Sequence, residues 1–93
     1  MTVINEVLSE LERATVLYPT WPNDPLHALA VLGEEFGELT KATLQFTYEP
    51  QKVTHAQLRS EAVQVAAMAL RYIVSLDVYE FAQSEQHSQS KLY

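Results

Sequence analysis

Between Ala62 and Leu70 every position is apolar except Gln64. The run lies inside a helical pattern that opens at Thr54 and continues to about Phe81. Thr54 and Gln57 match a capping box, in which each side chain satisfies the other residue's free backbone N–H. A helix that is apolar all round is buried all round. The rest of the chain supplies little to cover it. Ninety-three residues make one small domain with a thin core, and with no cysteine no disulfide can support it. Residues 1–93 therefore read as a single helical domain, with the polar, aperiodic stretch 84–93 as a frayed tail. Two companion helices cannot bury every face of a third, so a second subunit is expected as the cover. Ala62, Ala66, Ala67 and Ala69 would allow close helix packing.

The companions are set by proline. Three prolines fall in YPTWPNDP and the fourth is Pro50, which divides the chain into three helical patterns. The first spans about Thr2 to Thr15, with Ile4, Val7, Leu8, Leu11 and Ala14 on the helical period. The second begins at Asp24-Pro25, an N-cap followed by a residue tolerated at the first helical position. Leu29, Leu32, Phe36, Leu39, Thr43 and Phe46 continue it at spacings of three and four, and it ends before Pro50. Gly33 and Gly37 inside this helix each cost roughly 1 kcal/mol relative to alanine. Glycine there points to close approach by another element or a ligand. The fold expected is all-α: a bundle of three main helices completed by oligomerisation, as a homodimer or a dimer of dimers.

Six basic against twelve acidic residues give a net charge of −6. That balance argues against a nucleic-acid polymer or an anionic membrane surface as partner. It suits a protein that collects cations. The N-terminal sequence MTVINEVLSELE has no basic region, so no secretory signal is expected. The longest apolar stretch, Val65 to Leu70, is far below the roughly 18 residues of a membrane span. A cytoplasmic location is the default expectation.

The chemistry-bearing feature is a pair of polar doublets. Glu35 and Glu38 lie in GEEFGEL, and Glu61 and Gln64 lie in SEAVQVAAMALR. Residues three apart share a helix face. Antiparallel packing sets the doublets at similar levels, because Glu38 stands roughly 14 Å before the end of its helix and Glu61 roughly 10 Å after the start of the next. A lone Glu-x-x-Glu usually marks a solvated face. Two such doublets, each in apolar surroundings, also suit a divalent cation, since inward carboxylates without cationic neighbours are costly. Oxygen-only ligands favour Mg2+ or Mn2+ over zinc or copper.

GEEFGELTKA followed by EAVQVAAMALR resembles the MazG-like all-α nucleoside triphosphate pyrophosphohydrolases, in particular the small branch from phages and mobile gene cassettes. The resemblance covers roughly Trp21 to Leu76. The family signature is a Glu-x-x-Glu pair on one helix and a Glu-x-x-Asp pair on the next. Glu35 and Glu38 match the first pair and Glu61 opens the second, while Gln64 stands where the family has Asp. The resemblance implies a metal site at Glu35, Glu38, Glu61 and Gln64, and a metal-dependent hydrolysis of (deoxy)nucleoside triphosphates to monophosphate and pyrophosphate, as nucleotide-pool house-cleaning. It implies a carboxylate base, for which Glu34 and Glu35 are the candidates, Glu34 being equally readable as a solvated side chain. The alternative is a non-catalytic helical interaction module that retains the fold. Gln64, with an uncharged amide, keeps that alternative open.

Four further residues are candidates for substrate contact. Trp21 could stack on a nucleobase or pack in a small core. His27, in the first turn of the second helix, could meet a phosphate or stand inert at the surface. Lys41, one turn after Glu38, and Arg71, ten residues after Glu61, could bind phosphate or pair with an acid.

Overall fold

The computed structural model describes residues 2–79. The frayed tail expected over 84–93 lies outside the described residues. Three helices are present, α1 (Val3–Leu17), α2 (Pro25–Tyr48) and α3 (His55–Leu76), with a short 3₁₀ turn at Pro50–Lys52 between the last two. No strand occurs among the described residues. No helix there is long and apolar enough to cross a membrane.

Local chemistry sets the helix starts. The Thr2 hydroxyl accepts from the Asn5 N–H at 3.1 Å, and the Asp24 carboxylate accepts from the His27 N–H at 3.0 Å. Both bonds satisfy backbone donors that a first turn leaves free. Thr54 and Gln57 form the full capping box, at 3.0 Å and 2.8 Å. The ends of α1 and α2 follow from proline. Tyr18 and Glu49 precede Pro19 and Pro50 and leave the helical region, at φ −128° and −139°.

The end of α3 departs from the sequence expectation. The helix stops at Leu76 rather than running to about Phe81. The last turn tightens, with the Val78 N–H donating to the Ser75 carbonyl at 3.0 Å. The Tyr79 hydroxyl then donates to the Pro22 carbonyl at 2.7 Å, which ties the chain to the loop between α1 and α2. A contact 57 positions away in sequence thus holds the segment just past the helix end.

α3 lies between its neighbours. It packs against both α1 and α2, while no Cα of α1 comes within 8 Å of one in α2. α1 runs alongside α3 in the same direction. Glu6 pairs with Arg59 near their starts, at 2.6 Å, and Arg71 donates to the Tyr18 carbonyl near their ends, at 2.8 Å. α2 and α3 are antiparallel, with Phe46 near the end of α2 meeting His55 at the start of α3 edge-on.

The buried residues among those described are Ala14, Ala28, Ala42 and Ala67, all alanine. They mark the two seams, and Ala67 is 0% exposed. No large side chain is fully buried among the described residues. Leu26, Leu29, Phe36, Leu44 and Tyr48 of α2 and Ile73 and Val74 of α3 face outward. Within the protomer no other element closely approaches Gly33 or Gly37. A Cβ at either position would touch nothing within 4 Å.

Candidate functional site

The face of α2 against α3 carries Ala28, Glu35 and Ala42, because positions seven apart return to the same side of a helix. Glu35 and Glu38 therefore descend toward the seam just where α3 presents Glu61. Ligand oxygens of Glu35, Glu38 and Glu61 all lie within 4.8 Å of one another. Glu35 and Glu61 are half-buried and Glu38 is exposed.

Among the described residues no ion pair reaches this cluster. Oε2 of Glu35 and Oε2 of Glu61 are buried and accept no hydrogen bond. The three ion pairs among the described residues, Glu10–Arg13, Glu49–Lys52 and Glu6–Arg59, leave all three carboxylates out. The Glu35 carboxyl is held above its ordinary value of 4.5, first by burial and then by repulsion from Glu38, Glu61, Glu34 and Glu10. Orphaned, mutually repelling carboxylate oxygens fit a hard divalent cation.

Two recesses meet at the cluster. One, of about 450 Å³, is lined by Glu38, Lys41, Ala42, Gln45, Lys52, Val53, Gln57 and Glu61. The other, of about 190 Å³, lies where all three helices converge, between Glu10, Arg13, Ala14, Tyr18, Glu35, Gln64 and Met68. The structure thus brings together Glu35, Glu38, Glu61, Gln64 and Lys41 from the residues singled out in the sequence. Gln64 borders the smaller recess beside Glu35. Glu34 is exposed and lies outside the cluster, acting on it only as a repelling charge.

The remaining candidates stand elsewhere. His27 is exposed, roughly 12 Å along α2 from Glu35, and lines neither recess. Trp21 and Arg71 are engaged with each other, the guanidinium carbon lying 4.7 Å from the ring centroid. Burial lowers the Arg71 pKa. Together they fasten the α1–α2 loop onto α3, so the packing reading of Trp21 accounts for both. The residues that reading the sequence missed are Arg13, Glu10 and Tyr18 from α1 and Lys52 from the 3₁₀ turn. The spacing of Glu10 and Arg13 by three on one helix face was the available signal. Compared with known proteins, the chain matches no family model, no curated protein and no solved structure.

Proposed function

We propose that this protein is a magnesium- or manganese-dependent nucleoside triphosphate pyrophosphohydrolase of the MazG-like type. The observation that carries the reading is the pair of buried, unpartnered oxygens on Glu35 and Glu61 within a three-carboxylate cluster. Glu35, Glu38 and Glu61 would hold the cation, with the Gln64 amide oxygen as a neutral fourth ligand in place of the family's aspartate. A bound divalent ion supplies charge neutralisation for phosphate oxygens and a more acidic water. The chain supplies the rest. Lys41 and Lys52 border the larger recess and offer positive charge to a polyphosphate. Glu35, whose carboxylate reaches the centre of the cluster, would also be placed to accept a proton from an attacking water. Glu34 stands one residue away and would act only through a shift of its exposed side chain.

The working unit is a homodimer or a dimer of dimers. No large side chain of a lone protomer is fully buried, and apolar residues of α2 and α3 remain open. That surface also suits the alternative, a helical interaction module without catalysis. Incubation with a panel of ribo- and deoxynucleoside triphosphates and magnesium separates the two. The expected products are monophosphate and pyrophosphate in equal amounts, abolished by chelator. Orthophosphate as the released product would mean a different bond is cut, and no product from any triphosphate would favour the module.

A further inference from the structure

The smaller recess holds a cation that the scheme above does not use. Arg13 donates through Nε and Nη2 to the two carboxylate oxygens of Glu10, at 2.8 Å and 2.6 Å. Both residues line the recess that Glu35 and Gln64 border from the other side. The Arg13 side chain is 53% exposed and Glu10 only 16%, so the guanidinium stands at the mouth and its partner lies deeper. The pair is bidentate and open at the arginine side, so an incoming anion must match its two-oxygen geometry to replace the carboxylate. A phosphate presents the same two-oxygen edge as a carboxylate, with more charge, and a guanidinium fork matches it. Glu10 is also the weakest of the charges that repel Glu35, so the cation beside it lies at the edge of the acidic cluster.

We infer that Arg13 grips the polyphosphate of the substrate, exchanging the Glu10 carboxylate for phosphate oxygens as the nucleotide enters. The inference rests on reading the carboxylate cluster as the seat of a metal-bound nucleotide. Glu10 then acts as a placeholder that keeps the guanidinium extended along α1 toward the recess until substrate arrives. Lys41 and Lys52 serve the other flank, so the polyphosphate is held from both sides of the cluster.

The test pairs turnover with binding in the full chain. Arg13→Ala and Arg13→Lys are compared with Arg59→Ala, which removes the arginine paired to Glu6; Arg59 lines neither recess bordering the cluster, although it shares with Arg13 and Glu10 a separate hollow between α1 and α3. One readout is pyrophosphate release from triphosphates. The other is calorimetric binding of inorganic tripolyphosphate with magnesium. Arg13→Ala should lose roughly 10- to 100-fold in kcat/KM and in tripolyphosphate affinity, the scale of a charged hydrogen bond. Arg13→Lys should recover only part of it, and Glu10→Gln should lower KM by freeing the fork. Melting temperatures should stay close to wild type throughout. If the wild type turns over and Arg13→Ala behaves like Arg59→Ala, the inference falls and the hydrolase reading stands. If the wild type binds tripolyphosphate through Arg13 but releases no pyrophosphate, the hydrolase reading falls and the inference stands. If the wild type binds no tripolyphosphate, both fall.

Discussion

Glu35 is where burial and charge act in the same direction. Its folded-state pKa lies above its ordinary value, so the folded protein binds a proton there more tightly than the unfolded chain does. Stability from this group is therefore present at low pH and is lost as pH rises from about 4.5 through the raised value. Glu6 works the other way. The Arg59 guanidinium holds its pKa below the ordinary value, so its contribution is lost as pH falls. The two opposed effects make a comparison of variants more telling than one profile. In chelator at neutral pH, Glu35→Gln should melt above wild type, and the gap should close as pH falls toward 4.5. Glu38→Gln should gain less, since Glu38 is already exposed. Magnesium should raise the wild-type melting temperature by mass action and shift either variant much less. Thermal scans across pH, with and without magnesium, check this. Equal magnesium shifts in all three proteins would remove the cluster as a cation site.

Among the helices, the seams are set by alanine, and this makes them unforgiving. Ala67 is fully covered on α3, the helix that packs against both others, so a larger side chain must push a neighbour away. Ala67→Leu is expected to destabilise by about 1–3 kcal/mol or more. Ala62→Leu, at an exposed position on the same helix, should change stability by less than about 0.5 kcal/mol in a lone protomer. Denaturant titration measures both. The same scale shows what could be read in advance. The starts of α2 and α3 were legible at Asp24-Pro25 and Thr54 because a cap is an interaction within four residues. The convergence of Glu35, Glu38 and Glu61 was legible because helical period and antiparallel packing together fix their level. The end of α3 was not: the apolar period runs on past Leu76, while Tyr79 turns back to Pro22 in a contact that no local pattern shows. Nor was the placement of Arg13 and Lys52 beside the recesses visible, since it depends on the direction from which α1 and the 3₁₀ turn approach the α2–α3 pair.

For the whole molecule, the apolar surface left open is the dominant fact. Leu26, Leu29, Phe36, Leu44 and Tyr48 recur at helical spacing along the outer side of α2, and Gly33 and Gly37 leave open space among them. Within one protomer the glycines weaken the helix and gain nothing. If a second copy covers this stripe, the missing side chains let its backbone come close. Phe36→Lys, at a position 59% exposed, should then leave the helical content of the protein intact while shifting it toward smaller species. Sedimentation velocity across a concentration series reads the change. A wild type that stays monomeric at tens of micromolar would rule out the covering subunit.

The separation of α1 from α2 has a consequence for how the molecule comes into being. Residues 25–76 form a helical hairpin closed by a short turn, and its pairings are near in sequence. Such local topology assembles quickly, because little chain entropy is lost in closing it. All three clustered glutamates belong to that hairpin. The anionic centre is thus expected to form early. α1, whose links to α3 at Glu6–Arg59 and Tyr18–Arg71 each span 53 positions, would dock afterwards and bring Arg13 to the centre last.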